Sequence, residues 1–180
     1  MTMPRTIRLR PIDSVLLLLA VNKGQPIDGT PKIHYLLFIY EILDIDFEPG
    51  LLGPYSKSIE EAILELQRRG LIKVLKEKGY RRYVLTQRGV EEAKRLIEKL
   101  RNSYVEMRNS LIMKGDEVIR DLKILKKKAG EKSIPYLLYK CISKARKEWP
   151  INFAYKPSPA YMAFLHEVGN KVEDLLRKHG

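Results

Sequence analysis

Residues Gly53 to Gly89, GPYSKSIEEAILELQRRGLIKVLKEKGYRRYVLTQRG, decide the fold. Ile59, Ala62, Ile63 and Leu66 recur at helical spacing, which predicts a helix with one apolar face. Ser58 stands three residues before Glu61, the pattern in which a hydroxyl and a carboxylate cap each other's backbone donors. Gly70 suits the left-handed position that ends a helix. Leu71 to Leu75 and Tyr80 to Leu85 read as strands joined by the charged turn Lys76-Glu77-Lys78-Gly79. Thr86 is then placed to cap a further helix.

Upstream, Asp13 to Lys23 is nearly all apolar and predicts a buried first helix that stops at Gly24. Thr30-Pro31, a cap followed by proline, opens a second helix carrying Ile33, Leu36, Leu37, Tyr40 and Leu43. Three helices followed by a β-hairpin is the order of a winged helix-turn-helix. The expected fold class is therefore mainly α: three helices plus a β-hairpin wing over residues 12–100, with an α-helical C-terminal extension over residues 101–180. The link from Asp44 to Tyr55 is longer than the turn of roughly 3–4 residues in a simple helix-turn-helix. Its Phe47, Leu51, Leu52 and Tyr55 are expected to pin it to the core. Asp44, Asp46 and Glu48 alternate there, but a calcium loop needs more oxygen ligands and a closing carboxylate, so no metal is expected.

Residues 1–11 are basic, contain Pro4 and Pro11, and predict a loosely docked N-terminal arm. Arg5, Arg8 and Arg10 precede the apolar run Val15 to Val21, but that run is too short to span a bilayer and no small-x-small cleavage site follows. A cytoplasmic protein without membrane partners is expected. Beyond Thr86, Val90, Ala93, Ile97, Leu100, Tyr104, Met107 and Leu111 alternate steps of three and four, the spacing of a helix–helix seam. Packing within the chain and homodimerisation through this stripe are equally compatible with it. Gly115-Asp116 interrupts the stripe, and a helix follows with Val118, Ile119, Leu122 and Leu125 inside, ending in Lys126-Lys127-Lys128. Ser133 and Pro135 begin another helix, with Leu137, Leu138, Cys141, Ile142 and Ala145 on one face. Ser158-Pro159 opens the last, in which Tyr161, Phe164, Leu165, Val168, Val172, Leu175 and Leu176 are the apolar positions.

The 180 residues carry a formal net charge of +12, which favours an acidic partner. Its placement is uneven, with a net of +4 over residues 1–100 and +7 over residues 101–149. The single cysteine, Cys141, excludes an internal disulfide and a multi-cysteine metal site. His34, His166 and His179 are widely separated, no glycine-rich phosphate loop follows a strand, and no serine elbow occurs. Neither a catalytic residue nor a cofactor is expected, and His34 reads as a packing or surface histidine.

The residues expected to contact duplex DNA are Lys57 and Arg68 on the outer face of the third helix, and Lys73, Lys76, Lys78, Tyr80, Arg81 and Arg82 on the wing. Lysine and arginine in such a cluster meet phosphates and give position more than sequence discrimination. Glu61 and Glu65 share the helix face and would repel phosphate unless paired.

Leu64 to Ile72, with Gln67-Arg68-Arg69-Gly70-Leu71-Ile72, followed by Tyr83-Val84-Leu85-Thr86-Gln87-Arg88-Gly89, resembles the winged-helix transcriptional regulators of archaea and bacteria. The tyrosine-x-leucine-threonine-x-x-glycine step is common among multiple-antibiotic-resistance-type and phenolic-acid-type regulators, and the resemblance covers roughly residues 12–100. Gly53-Pro54-Tyr55-Ser56 departs from those regulators. It looks more like a group of uncharacterised prokaryotic winged-helix proteins and, distantly, the Panacea antitoxin domain. The regulator resemblance implies a DNA-binding transcriptional regulator. The departure implies the alternative, an antitoxin-like or adaptor module whose basic C-terminal helices contact an acidic protein. Lys126, Lys127, Lys128, Lys144 and Lys147 are the residues expected to form the nucleic-acid surface if it lies in the C-terminal region instead.

Overall fold

A computed structural model describes residues 5–179. In chain order its elements are β1 (Arg5–Arg8), α1 (Pro11–Gly24), β2 (Ile27–Asp28), α2 (Thr30–Ile39), β3 (Glu48–Gly50), β4 (Gly53–Tyr55), α3 (Lys57–Arg68), β5 (Ile72–Glu77), β6 (Tyr80–Leu85), α4 (Gln87–Arg101), β7 (Ser103–Glu106), β8 (Ile112–Lys114), α5 (Gly115–Ala129), α6 (Ile134–Lys147) and α7 (Pro159–His179). The described residues are thus mainly helical with a minor β component. None of these helices is long and apolar enough to cross a membrane.

The centre is α1. Val15 to Leu19 are all buried, and the helix packs against α3, α4, α5 and β6. An apolar run on every side of a helix makes sense only where neighbours cover every side. One hydrophobic cluster joins Val15 of α1 and Ile59 and Leu66 of α3 to Leu100, Val118, Leu122, Leu137 and Cys141. Packing therefore continues across position 100, where the sequence reading divides the chain. A satellite cluster of Ile142, Ala145 and Leu165 binds α7 to α6.

Three small sheets form among the described residues: β2-β6-β5, β1-β7-β8 and β3-β4. The β5–β6 hairpin pairs from Ile72↔Leu85 to Glu77↔Tyr80, so the strands run further than expected and only Lys78-Gly79 turns. Both residues have positive φ, +45° and +86°, the backbone twist that closes a two-residue hairpin. At the base of the hairpin, Gly70 has φ +69° and Thr86 caps α4 by accepting a bond from the Gly89 N–H at 3.0 Å, both as expected. The Thr86 hydroxyl also donates to the Gly70 carbonyl at 2.7 Å. A Cβ on Gly89 would lie 1.9 Å from the Leu71 carbonyl oxygen, so the start of α4 rests directly on the turn between α3 and β5. That is the physical content of the threonine-x-x-glycine step.

Four expectations are corrected. The third helix begins at Lys57 with Ser56 at its cap, and Ser58 lies inside it, bonded to the Ser56 hydroxyl at 3.0 Å. Ser58 and Glu61 form no capping pair; Glu61 sits one turn beyond Lys57 instead. The basic arm is not loose over its described part. Arg5–Arg8 pairs in parallel with Ser103–Glu106, and Arg8 bonds Glu106 at 2.7 Å. The alternation of Ile7 and Leu9 with arginines, with Leu9 buried, is what seats it. Residues 1–4 of that arm, Pro4 included, lie outside the described residues.

The seam beyond Thr86 is not one helix. Asn102 and Ser103 turn their side chains back to the carbonyls of Glu98 and Lys99, at 3.3 and 2.7 Å, and α4 ends. Tyr104 continues in β7, Leu100 and Met107 are buried in the core, Val90 and Ile97 are half-buried, and Leu111 is exposed. The six positions read as a dimer stripe therefore share no face. Lastly, the link between α2 and α3 folds as the β3–β4 hairpin. Phe47 is fully buried as expected, but Leu51 and Leu52 at the tip are 81% and 75% exposed and pin nothing.

Candidate nucleic-acid interface

In an antiparallel pair, residues directly opposite share a face and successive residues alternate. The register therefore puts Ile72, Val74, Tyr83 and Leu85 on the core face of the hairpin, and the next pair along that face is Lys76↔Arg81. Lys73, Leu75 and Glu77 occupy the other face with Val84, Arg82 and Tyr80. The basic residues of the hairpin thus divide between two faces, with Lys78 at the tip.

Their partners differ as well. Arg82 bonds Asp28 at 2.7 Å and Glu77 at 3.0 Å and lies 5.9 Å from the Tyr80 ring centre. The Asp28 hydrogen bond and charge raise the guanidinium pKa further above its ordinary value. Arg82 is a brace between β2, β5 and β6. Lys73, Lys76, Lys78 and Arg81 are exposed, and among the described residues none of them meets a carboxylate within ion-pair distance.

On α3 the outward charges satisfy one another. Lys57 lies 3.7 Å from Glu61, while Arg68 and Arg69 both bond Glu65, at 2.8 and 2.6 Å. Hydrogen bonds from Arg69 and then Arg68 hold the Glu65 carboxyl below the usual carboxylate range. Between these pairs Leu64 is 63% exposed. The helix thus presents neutralised pairs flanking an apolar spot. Of the eight residues expected to touch DNA, Lys73, Lys76, Lys78 and Arg81 are, among the described residues, free of ionic partners, Lys57, Arg68 and Arg82 are paired, and Tyr80 is exposed with the Arg82 guanidinium near its ring.

His34 is 3% exposed, and both ring nitrogens are engaged. Nδ1 accepts from the Ser56 N–H at 3.1 Å and Nε2 donates to Glu60 at 2.9 Å, which makes it the neutral Nε2–H tautomer. Burial pushes its pKa below the ordinary histidine value, with Glu60 opposing the shift. The ring stacks on Tyr55 with centres 5.3 Å apart and ties α2 to the start of α3. Beside it lies a largely apolar cavity of about 330 Å³, lined in part by Thr30, Tyr35, Leu51, Leu52 and Tyr55. Asp46 bonds Arg108 at 2.6 Å, and Asp44 lies 3.7 Å from Arg8. Among the described residues no cluster of three or more His, Cys, Asp or Glu side chains could hold a metal ion.

Two buried lysines escaped the sequence reading. Lys126 was assigned to a basic surface, yet it is 3% exposed and donates to the carbonyls of Leu19 and Val21 at 2.9 and 3.1 Å. It closes the end of α1, where Val21, Asn22 and Lys23 leave helical geometry. Burial pushes its ammonium down to about 7. Lys32 is 7% exposed and donates to the Gly130 carbonyl at 3.0 Å. The signal was present in the spacing: Lys126 follows Val118 and Leu122 at steps of four, on the inner stripe of α5. Lys144 is half-buried and bonded to Glu41 at 2.9 Å. Of the C-terminal basic group, Lys127, Lys128 and Lys147 remain exposed. No protein-family model matches this chain, and no curated protein is significantly similar to it.

Proposed function

We propose that residues 12–100 form a winged helix-turn-helix that binds duplex DNA through its wing, and that the protein acts as a transcriptional regulator. The β2-β6-β5 sheet, with β2 between α1 and α2 and the β5–β6 hairpin after α3, supports this fold reading. The single observation that carries the function is the Lys76↔Arg81 pair. Like charges directly opposite on a strand pair destabilise it, and here neither has a carboxylate partner while most of the cations on α3 do. A phosphate backbone relieves that repulsion. Phosphate contacts at the wing, together with self-neutralised charges on α3, describe binding that is strong in electrostatics and weak in sequence discrimination.

The test is fluorescence anisotropy of a random duplex across a salt series. Affinity is expected to fall steeply with salt, and the triple variant Lys76→Ser, Lys78→Ser, Arg81→Ser to flatten the slope of log K against log salt by about 2.7, from about 0.9 per phosphate lost. No measurable binding at about 50 mM salt would sink the reading. The second reading, a protein-binding module, is favoured by one observation, the exposed Leu51 and Leu52 beside the apolar cavity. Salt-insensitive behaviour towards DNA, together with partner capture abolished by Leu51→Ser and Leu52→Ser, would replace the first reading with the second.

A further inference from the structure

A second cavity, of about 400 Å³, opens between β2, Arg82 of β6 and the end of α5. Its lining is mixed and carries charged groups from four elements or their ends: Asp28 of β2, Lys32 of α2, Arg82 of β6, Lys126 of α5, and Glu131 just beyond α5. Two of the three cations are the buried lysines. An ammonium has three N–H donors. Lys32 spends one on Gly130 and Lys126 spends two on Leu19 and Val21, so that among the described residues two donors on the first are left over, and one on the second in its protonated form. Buried donors without acceptors are costly, and the space in front of them is where an acceptor belongs. Asp28 does not supply it: its oxygens bond Arg82, at 2.7 and 3.5 Å, and among the described residues it forms no ion pair with Lys32 or Lys126.

We propose that this cavity binds a small phosphorylated molecule, with its phosphate on the free donors of Lys32 and Lys126. Compact point charges with rotatable donors suit a phosphate group. A phosphate occupies only part of the volume, which falls within the range of small-molecule sites. Gln25, Asp28 and Glu131 in the rest of the lining offer acceptors, and the Gln25 amide offers donors, for hydroxyl groups. The occupant is therefore a compact polyol or sugar phosphate rather than an apolar ligand. The site is separate from the exposed wing cations, and it stands or falls independently of the DNA reading.

The experiment is calorimetric titration of the full chain with inorganic phosphate, sodium chloride being adjusted to hold ionic strength constant. Saturable binding is expected, with affinity reduced about tenfold or more in Lys32→Gln, because a charge-assisted bond is lost. The wing triple variant is expected to bind phosphate unchanged, and Lys32→Gln to bind DNA unchanged. Asp28→Asn removes the negative charge nearest Lys32 and is expected to tighten phosphate binding, which keeps the test decisive should Lys32→Gln fail to fold. A non-saturating signal, one unaffected by Lys32→Gln, one lost in the wing variant, or no gain with Asp28→Asn would each overturn the proposal.

Discussion

Thr86→Val isolates the junction on which the β5–β6 hairpin and α4 both rest. Valine keeps the shape of the side chain and removes only the hydroxyl, which accepts from the Gly89 N–H at 3.0 Å and donates to the Gly70 carbonyl at 2.7 Å. Loss of a helix cap costs about 1 kcal/mol. Depriving the Gly70 carbonyl of its donor adds about 1 kcal/mol, since Thr86 is half-buried and water replaces the bond only in part. The expected total is about 2 kcal/mol, a substantial share of the roughly 5–15 kcal/mol by which domains are stable. In urea denaturation followed by circular dichroism, a slope of about 2–3 kcal/mol/M turns this into a midpoint lowered by about 0.7–1 M at unchanged slope. Thr86→Ser keeps both bonds and is expected to recover most of the loss. A midpoint shift under about 0.2 M for Thr86→Val would refute the account, because the hydroxyl would then not organise the junction.

Gly89→Ala and Gly115→Ala place a methyl group 1.9 Å from the carbonyl oxygens of Leu71 and Leu100, and each is expected to lower stability by about 1–3 kcal/mol in the same assay through forced displacement of backbone. Lys126 makes stability depend on pH. Its folded-state pKa is lowered to about 7, so between about 7 and the unfolded value near 10.4 the unfolded chain holds a proton that the folded chain lacks. Stability contributed by this group is then complete above the unfolded value and declines as pH falls towards 7, by up to about 1.4 kcal/mol per pH unit. Lys126→Met is expected to remove that slope between pH values of about 7.5 and 9.5. An identical slope in both proteins would mean that the two carbonyls keep the ammonium charged. Leu51→Ser with Leu52→Ser is expected to change stability by less than about 0.5 kcal/mol, since both side chains stand in solvent; a loss above about 1 kcal/mol would place the hairpin tip in the core.

Much of the region from α1 to α4 was legible because its signals are local. The left-handed glycine at 70, the threonine cap at 86, the apolar face of α3 and the β-hairpin between them are all stated by residues within a few positions of one another. The failures share the opposite property. A three-four stripe from Val90 to Leu111 continues in sequence whether or not the chain remains helical. It was broken because Asn102 and Ser103 satisfy helix carbonyls and Tyr104 finds a strand partner in Thr6. The candidate site divides in the same way. Composition could place basic residues on the β5–β6 hairpin, and the period of two could sort them between faces. Only the fold shows that Arg82 is held by Asp28, 54 positions away, while Lys76 and Arg81 are not held at all.

Charge is therefore where sequence and tertiary structure part most clearly. The amino-acid sequence by itself determined the apolar face of α3, the β5–β6 hairpin and the helix ends at Gly70 and Thr86, since backbone propensity, capping and periodicity act over a few residues. Tertiary structure decided which cations face solvent and which are spent inside. A lysine such as Lys126 looks the same in sequence beside Lys127 and Lys128, yet the α1 carbonyls it closes come from residues 105 and 107 positions away. Burial and partnership are properties of contacts that local sequence does not encode, and they, more than the net charge, set what this surface can bind.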